Sequence, residues 1–315
     1  MRIITREEID AVLPKVDLMA EIEKGFVAYS RGRAVVPPVG ELVLHDPPGD
    51  VHIKYGYIEE DDYYVIKVAS GFYENPVNNL LPSSNGLMLM FSQKTGELVA
   101  VLLDEGSLTD IRTAVAGAIA AKCLAPSEVS RIGIVGSGIQ ARLQLEYLAQ
   151  VTDCRQALVW GRNQSRLDDY AGDMKAHGFE VATTLDATEV MATCNLIVTT
   201  TPAEKAILRA PNLRRGIHFT AVGSDTSSKQ ELATAILGRA DLVVADSISQ
   251  CLERGEIHQA LKTKKLSRSD IVELGSIIAG DAAGRTTDQQ VTVADLTGVA
   301  VQDIQIAKAV YAAVD

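Results

Sequence analysis

The hydrophobic rhythm of the chain changes once, near residue 105. Before that point, runs such as "DVHIKYGYI" and "DYYVIKVASGF" set β-branched and aromatic residues between polar turn stretches, the pattern of strands. "LMLMFSQKTGELVAVLLD" reads as two strands joined by a glycine-bearing turn, a hairpin signal. "SLTDIRTAVAGAIAAKCLA" then predicts an alanine-rich helix to about Leu124, and "PSEVS" a short connector. From Arg131 onward the six apolar runs "RIGIV", "ALVW", "FEVATTL", "NLIVTTT", "HFTAVG" and "ADLVVAD" recur with helical stretches between most of them. Such alternation predicts a parallel sheet covered on both faces. The tail "VTVADLTGVAVQDIQIAKAVYAAV" reads as a strand or loop and then a helix. It falls outside the six-strand count and is expected to fold back onto the N-terminal part.

One junction carries a chemical signature. "RIGIVGSGIQARLQLEYLAQ" sets Gly136, Gly138 and Ala141 between a predicted strand and a predicted helix. This is the glycine-x-glycine-x-x-alanine form of the dinucleotide fingerprint. The first glycine permits the tight turn, and the second lets a pyrophosphate approach the backbone. A small third residue lets helix and strand pack closely, and free N–H groups at the helix start meet the phosphates. Ile139 and Gln140 open that helix and are expected at the cofactor. The second strand ends in "VWGRNQSR", where an acid would bind the ribose hydroxyls of NAD. Here Gly161 is followed by Arg162 and Asn163, with Arg166 nearby, a set that favours the 2′-phosphate of NADP(H) over NAD(H).

The chain's 315 residues leave room for two domains. The expected division is an α+β substrate-binding and dimerisation domain, 1–125 with 295–315, and a Rossmann-type doubly wound α/β domain, 126–294. Apolar residues make up 47% and charged residues 23%, a globular balance, and the net charge of −11 argues against nucleic acid as a partner. The opening "MRIITREEIDAVLPKVD" alternates like an amphipathic helix rather than a secretory signal, and no apolar run has bilayer length. Four cysteines without a CxxC pair read as free thiols in a reducing cytosol, and the five histidines show no metal spacing. The expectation is a cytoplasmic protein with no metal, membrane or nucleic-acid partner. His218, inside a strand, is expected to be a satisfied core histidine, and Trp160 to pack or lie near an adenine.

Beyond the glycine loop, the ordered landmarks "YVIKV" with Lys67, "LTDIRTAVAGAIA" with Arg112 and Thr113, "GSGIQAR", "GSDTSSKQEL" with Asp225 and Lys229, and "TGVAVQD" run the length of the chain. Together they resemble the ornithine cyclodeaminase/mu-crystallin family, which includes cyclodeaminases, archaeal-type alanine dehydrogenases and imino-acid reductases. The resemblance implies a homodimer and a Rossmann domain carrying NAD(H) or NADP(H). It implies that Lys67 contacts the substrate, that Arg112 lies by cofactor and reaction centre, and that Asp225 shuttles protons. It also implies that Ser83 or Ser84, Thr113, Thr201, Val222 and Gly223 line the cofactor site, with Lys229 closing the loop over the cofactor or pairing with Asp225.

The chemistry of these roles can be stated from the residues. Asp225 leaves the carboxyl end of a parallel strand, where open α/β sheets bind ligands, and a carboxylate there can exchange protons with an amine, imine or water. Lys67 offers a cation for a substrate carboxylate or, desolvated, a proton. Arg112 can form a forked contact with an anion. Taken singly, each also fits a plain role: an exposed turn acid, a solubilising strand charge, a surface helix arginine.

Two positions depart from the family pattern. Relatives acting on α-amino acids carry a carboxylate-clamping arginine in the stretch matching "PPVGELVL", where this chain has Gly40 or Glu41, and an apolar methionine where it has Lys54. Lys54 is therefore expected to replace the missing cation beside Lys67; the alternative is a solvated strand residue. Leu296 stands where many relatives place serine, leaving Thr297 as the polar candidate near the cofactor. Three functions follow from the resemblance: an NAD(P)H-dependent imino-acid reductase reversible as an amino-acid dehydrogenase, a diamino-acid cyclodeaminase with catalytic cofactor, and a crystallin-type NADPH-dependent binding protein.

Overall fold

The change of rhythm corresponds to a division of the structure, a computed structural model that describes residues 1–72 and 74–314. One unit comprises Met1–Arg112 and Val299–Asp315, the other Thr113–Gly298. The division falls inside a helix, upstream of the boundary expected after residue 125, because the last two-thirds of that helix belongs to the second unit.

The first unit runs β1 (Arg2–Ile4), α1 (Arg6–Val12), α2 (Leu18–Ser30), β2 (Ala34–Val35), β3 (Gly40–His45), β4 (Pro48–Ile58), β5 (Tyr63–Gly71), α3 (Asn75–Asn78), β6 (Ser84–Ser92), β7 (Leu98–Leu102) and the start of α4 (Ser107–Leu124). The opening stretch, expected as one helix, begins with β1, and α1 starts only at the reciprocal capping box of Thr5 and Glu8. The strands form a sheet in the order β1-β7-β6-β5-β4-β2, with β3 paired to β4. Pairing is antiparallel throughout, as the alternating pattern predicted, except for β1, which lies parallel to β7.

The second unit continues with β8 (Ile132–Val135), α5 (Ile139–Leu148), β9 (Gln156–Trp160), α6 (Gln164–Ala176), β10 (Glu180–Thr184), α7 (Ala187–Thr193), β11 (Leu196–Thr199), β12 (His218–Ala221), α8 (Thr234–Leu237), β13 (Leu242–Ala245), α9 (Ile248–Cys251), α10 (Gly255–Lys262), β14 (Ile271–Glu273), α11 (Leu274–Ile278) and β15 (Thr292–Asp295). Its sheet is parallel, in the order β10-β9-β8-β11-β12-β15-β13-β14. Every residue of β8, β11, β12 and β15 is buried, which is why these strands read as unbroken apolar runs.

The strand in the tail corrects the six-strand expectation. Thr292–Asp295 does not leave the sheet; it inserts between β12 and β13 as the sixth strand of the doubly wound order, and β14 adds an eighth. Only the closing helix, α12 (Ala300–Val314), joins the N-terminal unit, where it packs on α2, β4 and β5. His218 ties the inserted strand in place. Its Nδ1 lies 2.8 Å from the Thr292 hydroxyl and its Nε2 2.9 Å from the Thr220 hydroxyl. Burial first, then the Arg285 guanidinium, pushes this ring down to about 3, so it stays neutral in the fold.

Helix α12 buries Ile304, Ile306, Ala307 and Val310 in the first unit. A chain ending at Gly298 is therefore expected to lose amide-exchange protection across β4–β7 while β8, β11 and β12 stay protected. Equal protection in both units would show that α12 is dispensable.

Candidate active site

In the second unit the residues of interest gather at the carboxyl ends of neighbouring parallel strands. Gly136 follows β8 with φ +124°, a backbone state that favours glycine, and a Cβ there would stand 2.5 Å from the Thr200 hydroxyl. Gly138 caps α5, and a Cβ built on it meets nothing within 4 Å. The approach to the first turn of α5 is thus open, with Ile139 exposed and Gln140 half-buried beside it. Arg142 braces the turn by donating to the Ser137 carbonyl (2.7 Å) and pairing with Asp173 (2.8 Å). Buried Tyr170 donates to the Ala141 carbonyl (2.9 Å). An open second glycine at the amino end of a ten-residue helix suits a pyrophosphate.

At the end of β9, Arg162 and Arg166 are exposed, and Asn163 caps α6 by accepting from the Arg166 amide (3.2 Å). The cap explains Asn163 without a ligand, whereas both guanidinium groups reach solvent. Trp160 packs against the core of the sheet, and its indole N–H donates to the Leu185 carbonyl (3.1 Å).

Beyond β11 and β12 lie Thr201, Val222, Gly223 and Asp225. The Asp225 carboxylate, 33% exposed, is paired with the Lys229 ammonium at 2.7 Å, so of the two roles expected for Lys229 the ion pair is present. Arg254 donates to the Asp225 carbonyl (3.3 Å), and Gln259 to that of Ser227 (2.9 Å), which pins the loop to its neighbours. Thr297, after β15, is buried; its hydroxyl donates to Asp246 (3.1 Å) and accepts from Gln250 (2.9 Å).

Sequence reasoning passed over the acids behind these ends. Glu231, in "KQEL", is fully buried and accepts from Thr199, Thr201 and Gly223, while Glu256 accepts from the Glu231 amide (2.6 Å). Burial pushes Glu231 up to about 7 against those donors, and pushes Asp295 up to about 8, with Asp246 adding repulsion. The available signal was weak: an acid two places after Lys229, next to apolar Leu232.

The first unit holds the cations. Lys54 on β4 and Lys67 on β5 are direct cross-strand partners, so their side chains share one face, and they are 6% and 1% exposed. Glu41 pairs with His52, two residues from Lys54, and falls on that face, while Gly40, opposite Ile53, falls on the other. From α12, buried Asp303 stands 3.4 Å from the Lys67 ammonium and 3.0 Å from Arg112 Nε on α4. Gln302 accepts from Arg112 Nη1 (2.8 Å). Burial lowers Lys67 to about 8; Asp303 opposes the shift and Arg112 adds to it. Asp303 closes the landmark "TGVAVQD" but was given no role, because a single acid amid "AVQDIQIA" reads as a helix's polar side. Ser83 and Ser84 are half-buried where β6 begins, the Ser83 carbonyl accepting from Phe72 (2.7 Å). Thr113, past the division in α4, is half-buried and its carbonyl accepts from Gln144 (3.1 Å). Among the described residues no group of histidine, cysteine and acid side chains is arranged to hold a metal, and no helix is long and apolar enough to cross a membrane.

Strand-end glycines, an open helix start and a paired acid define a Rossmann-type enzyme built for a nicotinamide dinucleotide. The profile of the ornithine cyclodeaminase/mu-crystallin family matches residues 2–315, and the chain belongs to that family. It is 42% identical over 311 residues to an uncharacterised cyclodeaminase of Sinorhizobium fredii, covering 98% of this chain and 94% of that one. Among solved structures it resembles an archaeal alanine dehydrogenase dimer with bound NAD (TM-score 0.90, 31% identity, 99% and 95% of the two chains). It also resembles the Δ1-pyrroline-2-carboxylate reductase of Thermococcus litoralis in complex with NADH and L-proline (TM-score 0.93, 27% identity, 99% and 97%).

The buried acids make stability depend on pH in a stated direction. Asp295, raised from 3.8 to about 8, keeps its proton in the fold where the unfolded chain has lost it, so stability falls as pH rises through that window. His218 acts oppositely between 3 and 6.5, and Lys67 oppositely between 8 and 10.5. Urea midpoints are therefore expected to fall between pH 6.5 and 8, and Asp295→Asn to flatten that fall; an unchanged slope in the variant contradicts the assignment.

Proposed function

We propose that this chain is an NAD(P)H-dependent reductase of an α-imino acid, reversible as an amino-acid dehydrogenase. The observation that carries the reading is the Asp225–Lys229 pair immediately beyond the fifth strand of a dinucleotide-binding sheet. An accessible carboxylate there suits proton exchange with a substrate nitrogen. Lys229 holds Asp225 in place and offers a path for its proton. Lys54, Lys67 and Arg112 bind the substrate carboxylate; a buried site in which Lys67 and Arg112 share the Asp303 carboxylate, with Lys54 beside them, suits an incoming anion. Gly136, Gly138, Ile139, Gln140, Thr201, Val222 and Gly223, with Ser83, Ser84, Thr113 and Thr297, hold the cofactor. When bound, the nicotinamide supplies a hydride to the imine carbon or takes one from the amine. The nitrogen takes its proton from Asp225 in one direction and returns it in the other.

Arg162 and Arg166, exposed at the end of β9 with no acid in Gly161–Asn163, support a preference for NADP(H). A homodimer is supported by the edge strand β3, which leaves Leu42 and Val43 59% and 62% exposed, and by the dimeric state of the archaeal alanine dehydrogenase. The similarity to a cyclodeaminase supports a second reading, in which a diamino acid is cyclised with loss of ammonia and the cofactor is regenerated.

Cofactor turnover separates the two. Cyclic imines, and 2-oxo acids with ammonia, are expected to consume NADPH in step with product; ammonia release from ornithine or lysine without net change at 340 nm identifies the cyclodeaminase. In the reductase assay, Lys54→Met is expected to raise substrate KM about 10-fold or more with dinucleotide binding intact. Asp225→Asn is expected to lower kcat about 100-fold or more. An unchanged KM in the first or kcat in the second removes that residue from the site.

A further inference from the structure

Glu231 follows Asp225 by six positions, yet the two carboxylates live in opposite surroundings. Asp225 is partly exposed and paired with a lysine, whereas Glu231 is fully buried and faces the acids Glu256 and Asp295. What holds Glu231 is a convergence of donors. Oε1 accepts from the Thr201 amide (2.6 Å) and the Thr201 hydroxyl (2.7 Å); Oε2 accepts from the Thr199 hydroxyl (2.8 Å) and the Gly223 amide (2.9 Å). These donors belong to the carboxyl ends of β11 and β12, adjacent strands of the sheet. The ends lie so close that a Cβ on Gly223 would stand 2.2 Å from the Thr201 carbonyl oxygen.

The arrangement has a consequence for hydrogen-bond polarity. Backbone N–H groups only donate, so the carboxylate must accept from them, and the Thr201 hydroxyl also turns its hydrogen inward. The Thr201 oxygen is left with lone pairs alone, one of them engaged at long range by the Ala203 amide (3.4 Å). Toward solvent, half-buried Thr201 is an acceptor. A neutral or shortened side chain at 231 frees that hydroxyl to donate and loosens the two strand ends together.

We propose that Glu231 is a positioning residue for the dinucleotide: it clamps Thr201 to Gly223 and makes Thr201 an acceptor for a donor group of the cofactor, an amide N–H or a sugar hydroxyl. The inference rests on the reading of this unit as a nicotinamide-dinucleotide site. It is tested by titrating the full chain with NADPH and with NADH, following nucleotide fluorescence, alongside thermal unfolding of each variant. Gly138→Asp, which sets a carboxylate in the open space at the start of α5, serves as the control.

Glu231→Gln is expected to weaken dinucleotide binding about 10-fold, with a cooperative unfolding transition retained. Thr201→Val added to Glu231→Gln is expected to weaken it little further, because both act through one contact. A folded Glu231→Gln chain that binds like wild type overturns the inference. Should Glu231→Gln not fold, Thr201→Ser and Thr201→Val read the same claim: serine keeps the affinity and valine loses about 10-fold, while equal affinities overturn it. If the wild-type chain and Gly138→Asp fail alike to bind either dinucleotide, the cofactor reading itself is wrong and this inference falls with it.

Discussion

Burying an ammonium group costs several kcal/mol unless an anion comes with it. The first unit buries Lys54 and Lys67 side by side on adjacent strands and brings Arg112 to the same carboxylate as Lys67. That constraint organises the unit. The register of β4 against β5 sets the two lysines on one face, and a slip of one residue would turn one of them to the other side. Helix α4 delivers Arg112, and α12 closes the arrangement with Asp303 and Gln302. The chain's last helix is thus tied to the first unit by charge as well as by its apolar face. Asp303 is one carboxylate shared by Lys67 and Arg112, and Asp104 adds a second negative charge that acts on Lys67.

The second unit solves the opposite problem. It buries Glu231, Glu256 and Asp295: strand-end amides and hydroxyls hold Glu231, the Glu231 amide donates to Glu256, and the Ile257 amide of α10 donates to Asp295. Inward-facing donors are the reason two strand ends can be drawn together tightly enough to require Gly223. Outside this buried layer, Asp225 and Lys229 stand in the loop where protons can move. Carboxylates six residues apart thus differ in surroundings: Glu231 is buried and holds the backbone, whereas Asp225 is partly exposed and ion-paired.

Much of this was legible in the chain. The buried strands of the parallel sheet have no solvent face, so each announced itself as an apolar run. The glycine loop is legible because a positive-φ turn and an open helix start admit few residue types. β15 was misplaced for a topological reason: it enters the sheet between strands already laid down, and its position depends on pairing with β12 and β13 rather than on chain order. Asp303 and Glu231 lie within the quoted landmarks but were given no role, because their contacts are with partners about 190 and 30 positions away, Arg112 and Thr201, which no local pattern records. Asn163, expected at the cofactor, also caps α6.

The account turns on where the hydride goes. Incubating the chain with NADPH carrying deuterium on both C4 positions and with Δ1-pyrroline-2-carboxylate, then locating the label in the product by mass spectrometry, tests it directly. The account predicts proline with one deuterium on the carbon that bears the carboxylate. Proline without label at that carbon would contradict it, as would nucleotide left unoxidised across every imino acid offered.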